Sequence, residues 1–146
     1  MKVADLEGLA LDYWVSRAER RFDVKVDGDR CVTYRSGGLP RTYAPSKEWM
    51  KGGPLIERES ITVMCFTEGW AAQIGATTYI DTNWDEECWR GPSPLIAAMR
   101  CLVASRFGEE VPDVEYQNII YPTSTATDPE VKKAQDAALE RSMRKL

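Results

Sequence analysis

The chain has 146 residues, 43% of them apolar and 10% aromatic, a formal net charge of −4 and no histidine. That length fits one compact domain with a single core, and the apolar content excludes wholesale disorder. Without imidazole, histidine dyads, histidine acid–base steps and histidine-ligated metals are unavailable; the negative charge disfavours non-specific coating of nucleic acid, and no apolar run reaches the ~18 residues of a membrane span.

The chain opens Met1-Lys-Val-Ala-Asp-Leu-Glu7, with acids where an export signal needs an apolar stretch, so the cytosol is the expected compartment. A helix is expected over about residues 5–21, started near Asp5, with Leu11, Trp14, Val15, Ala18 and Phe22 recurring along one face and Gly8 as its weakest position. Residues 22–35 alternate apolar and polar side chains on each side of Asp27-Gly28, the pattern of a β-hairpin. After the break at Ser36-Gly-Gly-Leu-Pro40 comes a dense aromatic loop beginning at Tyr43. Here Ser46 is placed to cap a short helical turn carrying Trp49, which Gly52-Gly53 stop before Pro54 fixes the re-entry of the chain.

Ile61–Phe66 reads as a strand, Thr77–Ile80 as another, and periodicity leaves the Trp70 segment between them undecided. The clearest helix starts near Ser93, carries Pro94 in its first turn and ends before Gly108, with Leu95, Ile96, Met99, Leu102, Val103 and Phe107 as a core face. Beyond residue 112 the pattern lapses into a turn-rich linker, and Thr127-Asp-Pro-Glu130 supplies a capping box for a charged terminal helix through about Arg144. The expected architecture is α+β: a small, mainly antiparallel sheet packed by two principal helices, with residues 1–112 as the compact domain and 113–146 as an extension.

Cys31, Cys65, Cys88 and Cys101 are widely spaced without a C-x-x-C pair, so reduced, buried thiols are expected. Cys65, among apolar strand-like neighbours, reads as a buried small hydrophobe rather than a nucleophile. Asp81-Thr-Asn-Trp-Asp85 begins like a calcium loop, but Glu86 and Pro92 occupy the sixth and twelfth positions, where glycine and a bidentate acid are required. It reads as a solvated acidic loop. Glu57 and Glu59 are paired acids two residues apart with nothing in the sequence to fix their geometry. No catalytic residue, metal-ligand set or cofactor is therefore assigned.

Two groups of residues suit a planar, anionic ligand. Tyr43, Trp49 and Arg58 combine flat rings with a guanidinium, for stacking and for pairing an anion, against the plainer reading of an aromatic-anchored turn. Trp84, Trp89, Arg90, Ser93 and Arg100, with Trp70, surround the start of the strongest helix, where unpaired amides favour anions. Ser93 as a helix cap and Arg100 as an ion-pair partner are the structural alternatives.

Four segments carry a resemblance: Met1-Lys-Val with Ala10-Leu-Asp-Tyr-Trp-Val15; Tyr43-Ala-Pro-Ser-Lys-Glu-Trp49; Gly52-Gly-Pro-Leu-Ile-Glu-Arg-Glu59; and residues 94–112, from Pro94-Leu-Ile-Ala-Ala-Met99 to Glu110-Val-Pro112. In these the chain resembles a family of short bacteriophage and prophage proteins of unknown function. The resemblance implies phage origin, and it brings no activity, cofactor or site residue. The 23–35 hairpin and the 113–146 extension depart from the family pattern.

The leading expectation is a phage accessory protein, non-catalytic, that binds and sequesters a nucleotide-like or other planar anionic molecule such as a host defence signal, in the host cytosol. A protein-interaction module that binds a host factor is the alternative, because Tyr, Trp and Arg also anchor interfaces. A metal-assisted phosphodiesterase using acidic residues is a further one. A homodimer through the terminal helix is compatible with each.

Overall fold

The computed structural model describes residues 1–33, 39–75 and 88–114, with three further helical positions at 137, 140 and 141. The expected strand at Thr77–Ile80, the acidic loop with Asp81, Trp84 and Asp85, the 121–129 linker and nearly all of the expected terminal helix lie outside the described residues.

A short 3-10 turn, Val3–Asp5, precedes α1 (Gly8–Ala18), the hairpin β1 (Val24–Asp27) and β2 (Arg30–Thr33), and β3 (Arg41–Thr42). Then follow α2 (Trp49–Arg58), β4 (Ile61–Phe66), β5 (Gly69–Ile74), β6 (Trp89–Gly91) and α3 (Pro94–Phe107). The class is α+β as expected. Instead of one sheet, the described strands form two antiparallel three-stranded sheets, β1-β2-β3 and β4-β5-β6. Each closes on its own helix: β1 and β2 pack against α1, while all three strands of the second sheet pack against α3.

The undecided Trp70 segment is β5, paired along its whole length with β4, Val63 facing Ala72 and Cys65 facing Trp70. Its other edge carries β6, with Trp89 opposite Ala72 and Gly91 opposite Trp70. Directly opposed residues share a face, so Val63, Trp70, Ala72, Trp89 and Gly91 all look the same way. That face meets α3, the central element, whose Ala97, Ala98, Met99, Leu102 and Val103 are fully enclosed between the sheet, α1 and the N-terminal turn. Gly91 allows the close approach: a Cβ there would lie 2.7 Å from the Ala97 backbone nitrogen.

Helix α1 is shorter than its apolar period suggested. It starts at Gly8, whose φ is +55°, and its C-terminus closes with Arg20 amide to Arg17 carbonyl (3.0 Å) and Arg21 amide to Ser16 carbonyl (2.8 Å). This paired closure places Arg20 in the left-handed region, φ 55°, where glycine is usual. The chain turns away there, so Phe22 is 70% exposed rather than on the core face.

Two further expectations are corrected. Gly52 and Gly53 do not stop a helical turn; they lie with Pro54 inside α2. The carbonyl that Pro54 leaves without an amide donor is that of Met50, a residue 92% exposed, where water can satisfy it. Cys65 is exposed near the tip of the β4–β5 hairpin, whereas Cys31 and Cys101 are buried and Cys88 partly so.

Candidate functional site

Helix α2 and its approach scatter the first predicted group. Tyr43 is buried at 3% exposure, packed with Val24, Val26 and Cys31 between the first sheet and α1, with the Arg21 guanidinium 4.6 Å from its ring centre. Burial pushes its hydroxyl up to about 12, so it stays neutral. Trp49 opens α2 and is 56% exposed, while Arg58 closes the same helix, roughly 13 Å further along its axis. No recess joins the three among the described residues.

The density of that segment has a structural cause. Pro45 and Ser46 are buried, and the Ser46 amide donates to the Asp12 carboxylate at 2.9 Å. Ser46 therefore does not cap α2, and the helix begins after Glu48 without a side-chain cap. Gly52 is required by contact, since a Cβ on it would fall 2.4 Å from the Pro45 carbonyl oxygen and 2.7 Å from a Leu95 methyl.

Arg58 belongs to an ionic cluster where α1, α2 and α3 end together, bounding a recess of about 550 Å³ with Arg17, Arg20, Glu19, Glu59 and Arg106. It pairs with Glu19 and with Glu59 (2.9 Å), and Arg106 reaches both Glu59 oxygens at 3.1 Å. The Glu19 hydrogen bond, then Glu59, raises the Arg58 guanidinium above its ordinary range. Three converging helix C-termini, each worth roughly half a negative charge, add to the two glutamates. Together they nearly cancel the four arginines. The cluster therefore balances helix ends and offers little attraction to an outside anion.

Of the second predicted group, part comes together. Trp89, Arg90 and Arg100, with Trp70, line an open recess of about 740 Å³ whose margin includes Ala4, Glu68, Cys88 and Glu109. Both indoles come from the face of the second sheet that meets α3. Arg100 is only 8% exposed; its Nε donates to the Leu6 carbonyl at 2.7 Å and its Nη1 to the Arg90 carbonyl at 2.8 Å. The guanidinium thereby ties the N-terminal turn to β6. Among the described residues it forms no ion pair, and burial lowers its pKa, partly offset by Glu7 and Asp5. Two donors are committed to carbonyls, and the guanidinium has further N–H groups beyond these.

Arg90 extends over the Phe66 ring, 5.4 Å from its centre. Ser93 does not join the recess: its hydroxyl accepts the Ile96 amide at 3.1 Å, a helix cap. With Pro94 lacking an N–H and the Ala97 amide bound to the Ser93 carbonyl at 3.0 Å, the start of α3 has little left for an anion. Trp84 lies outside the described residues.

The sequence reading did not find Glu68, Glu109 or Ala4. Glu68 had a readable signal, a two-residue turn between two apolar runs; Glu109 and Ala4 reach the recess only through the pairing of the N-terminus with the segment after α3. There the Val3 amide donates to the Glu109 carbonyl at 2.9 Å. Among the described residues no group of three or more acidic or thiol side chains is gathered to hold a metal ion, and none of the helices is long and apolar enough to cross a membrane.

A family model described as bacteriophage P22 NinX matches residues 2–106. The match spans well over half of the chain, takes in the 23–35 hairpin and stops before the 113–146 extension. No curated protein matches the chain. The chain belongs to the bacteriophage P22 NinX family and is a phage accessory protein.

Proposed function

We propose that this phage accessory protein binds a small planar anion, nucleotide-like in chemistry, in the recess lined by Trp70, Trp89 and Arg100, and that it holds this molecule without transforming it. The observation that carries the reading is the buried Arg100 guanidinium, which has no carboxylate partner among the described residues and lies in the same wall as two indole rings. A desolvated cation attracts an oxyanion more strongly than an exposed one, and indole faces stack rings of any base. Sequestration of a host defence signal within the host cytosol is the role that such capture would serve. Isothermal titration of the full chain with mononucleotides and cyclic nucleotides tests it. Saturable heat, with unchanged ligand recovered after denaturation, is expected; flat titrations across the panel overturn it.

A second reading, docking of a host protein, draws on a different place. Trp49 at 56% and Met50 at 92% exposure stand side by side at the start of α2, and an exposed Trp–Met pair is the composition of an interface anchor. Pull-down from host lysate with the full chain and with Trp49→Ala tests it: a partner lost with the indole supports docking, and unchanged capture opposes it. Self-association through the terminal segment belongs with this reading, and light scattering of the full chain decides it.

A further inference from the structure

The charges around the Trp70–Trp89 recess are arranged by depth. Arg100, at 8% exposure, is the buried cation of its wall, whereas Arg90, Glu68 and Glu109 are all exposed. The exposed set carries a net single negative charge, the lining is formally neutral among the described residues, and Glu7 and Asp5 add negative charge that acts on Arg100 from outside it. One oxyanion placed against Arg100 meets the only desolvated charge of the lining among the described residues. Any further negative charge on the ligand falls among side chains whose fields cancel or repel it, and it must still shed water. The two rim carboxylates can only accept hydrogen bonds, which suits N–H groups on the edge of a ring stacked between them and the indoles.

We infer that the recess selects a ligand with a single negative charge, a phosphodiester or carboxylate monoanion, on a planar ring that bears N–H donors, and that it discriminates against polyphosphates. The inference deepens the ligand-site reading and rests on it. Arg100 supplies the cation, Trp70 and Trp89 the stacking faces, and Glu68 and Glu109 both the ring-edge acceptors and the barrier to excess charge. A site built for triphosphates would instead gather several unopposed cations or a glycine-rich cradle of amides.

The test is a titration series on the full chain, followed by indole fluorescence, with four members on each of adenine, guanine and cytosine: the neutral nucleoside, the base carrying an acetate arm, the cyclic monophosphate and the triphosphate. For the preferred base, the acetate or the cyclic monophosphate should bind about tenfold tighter than both the nucleoside and the triphosphate. Which of the two is tighter identifies the oxyanion. In Glu68→Gln/Glu109→Gln the triphosphate should gain several-fold relative to the monoanion. Triphosphate binding as tight as the monoanion in the unaltered chain overturns the charge selection and leaves the ligand-site reading standing. Nucleoside binding as tight as the monoanion removes Arg100 as the anion partner. No binding by any member sinks the ligand site itself, and the inference with it.

Discussion

The Asp12 carboxylate and the Ser46 backbone amide form a buried hydrogen bond of 2.9 Å that fastens helix α1 to the loop ahead of α2. Burial pushes this carboxyl up to about 6 from 3.8, while the Ser46 amide pulls the other way. Because the folded value exceeds the unfolded one, Asp12 favours the folded state most when protonated. Its contribution is complete below about pH 4 and lost as pH rises through about 6. Asp12→Asn keeps an acceptor oxygen and removes the titration. Urea unfolding between pH 4 and 7.5 should show a flatter stability profile in this variant, with a relative gain of about 2–3 kcal/mol at the upper end. A slope identical to that of the parent chain contradicts the assignment.

Gly52 and Gly53 are neighbours on one helix with opposite expectations. A methyl at Gly52 collides with the Pro45 carbonyl and Leu95, whereas the nearest atom to a methyl at Gly53 is 3.9 Å away on Trp49. Gly52→Ala should destabilise by about 2 kcal/mol or more. Gly53→Ala should be neutral or stabilising by up to ~1 kcal/mol, as expected for glycine replaced in a helix. Thermal melts of the two variants check the pair, and equal shifts would mean that α2 does not press on Pro45.

Arg20 occupies a left-handed position that glycine adopts at no steric cost. If its side chain serves only the ionic cluster, Arg20→Gly should leave stability unchanged or raise it by about 1 kcal/mol. A loss above ~1 kcal/mol in denaturant would show that the Arg20 charge is needed at the meeting point of the three helix ends.

Arg100→Met removes the donors to two backbone carbonyls, Leu6 and Arg90. Leaving buried acceptors unpaired should cost about 2–4 kcal/mol. Arg100→Lys keeps the positive charge but not the fork, so it should fold, retain part of the stability and lose the planar pairing with an oxyanion. Denaturant melts alongside ligand titration separate the two effects: a lysine variant that binds as the parent does would assign Arg100 to architecture alone.

Much of the fold was legible because its signals are local. The Ser93–Pro94 start and Gly108 end of α3, the hairpin about Asp27-Gly28 and the β4 run each depend on neighbouring residues, and each is present. What failed depended on distant contacts. Gly52-Gly53 resembles a helix stop unless Pro45 and Leu95 are known to press on it, and Phe22 continues an apolar period that the closure at Arg20 has already ended. At the site, the Trp89–Arg100 group was readable because β6 and α3 are adjacent in sequence. Tyr43, Trp49 and Arg58 were grouped by proximity along the chain, which the buried loop and the length of α2 undo. An exposed tryptophan, an exposed arginine and a buried tyrosine read alike in a string of letters.

Ligand recognition is proposed at Trp70, Trp89 and Arg100. Nitrogen-15 spectra of the indole and arginine side chains, recorded while a cyclic mononucleotide is added, test it most directly. Progressive, saturable shifts of the Trp70 and Trp89 indole signals and the Arg100 Nε signal are expected, with Trp49 unmoved. Shifts centred on Trp49, or none at any of the four at saturating concentration, would contradict it.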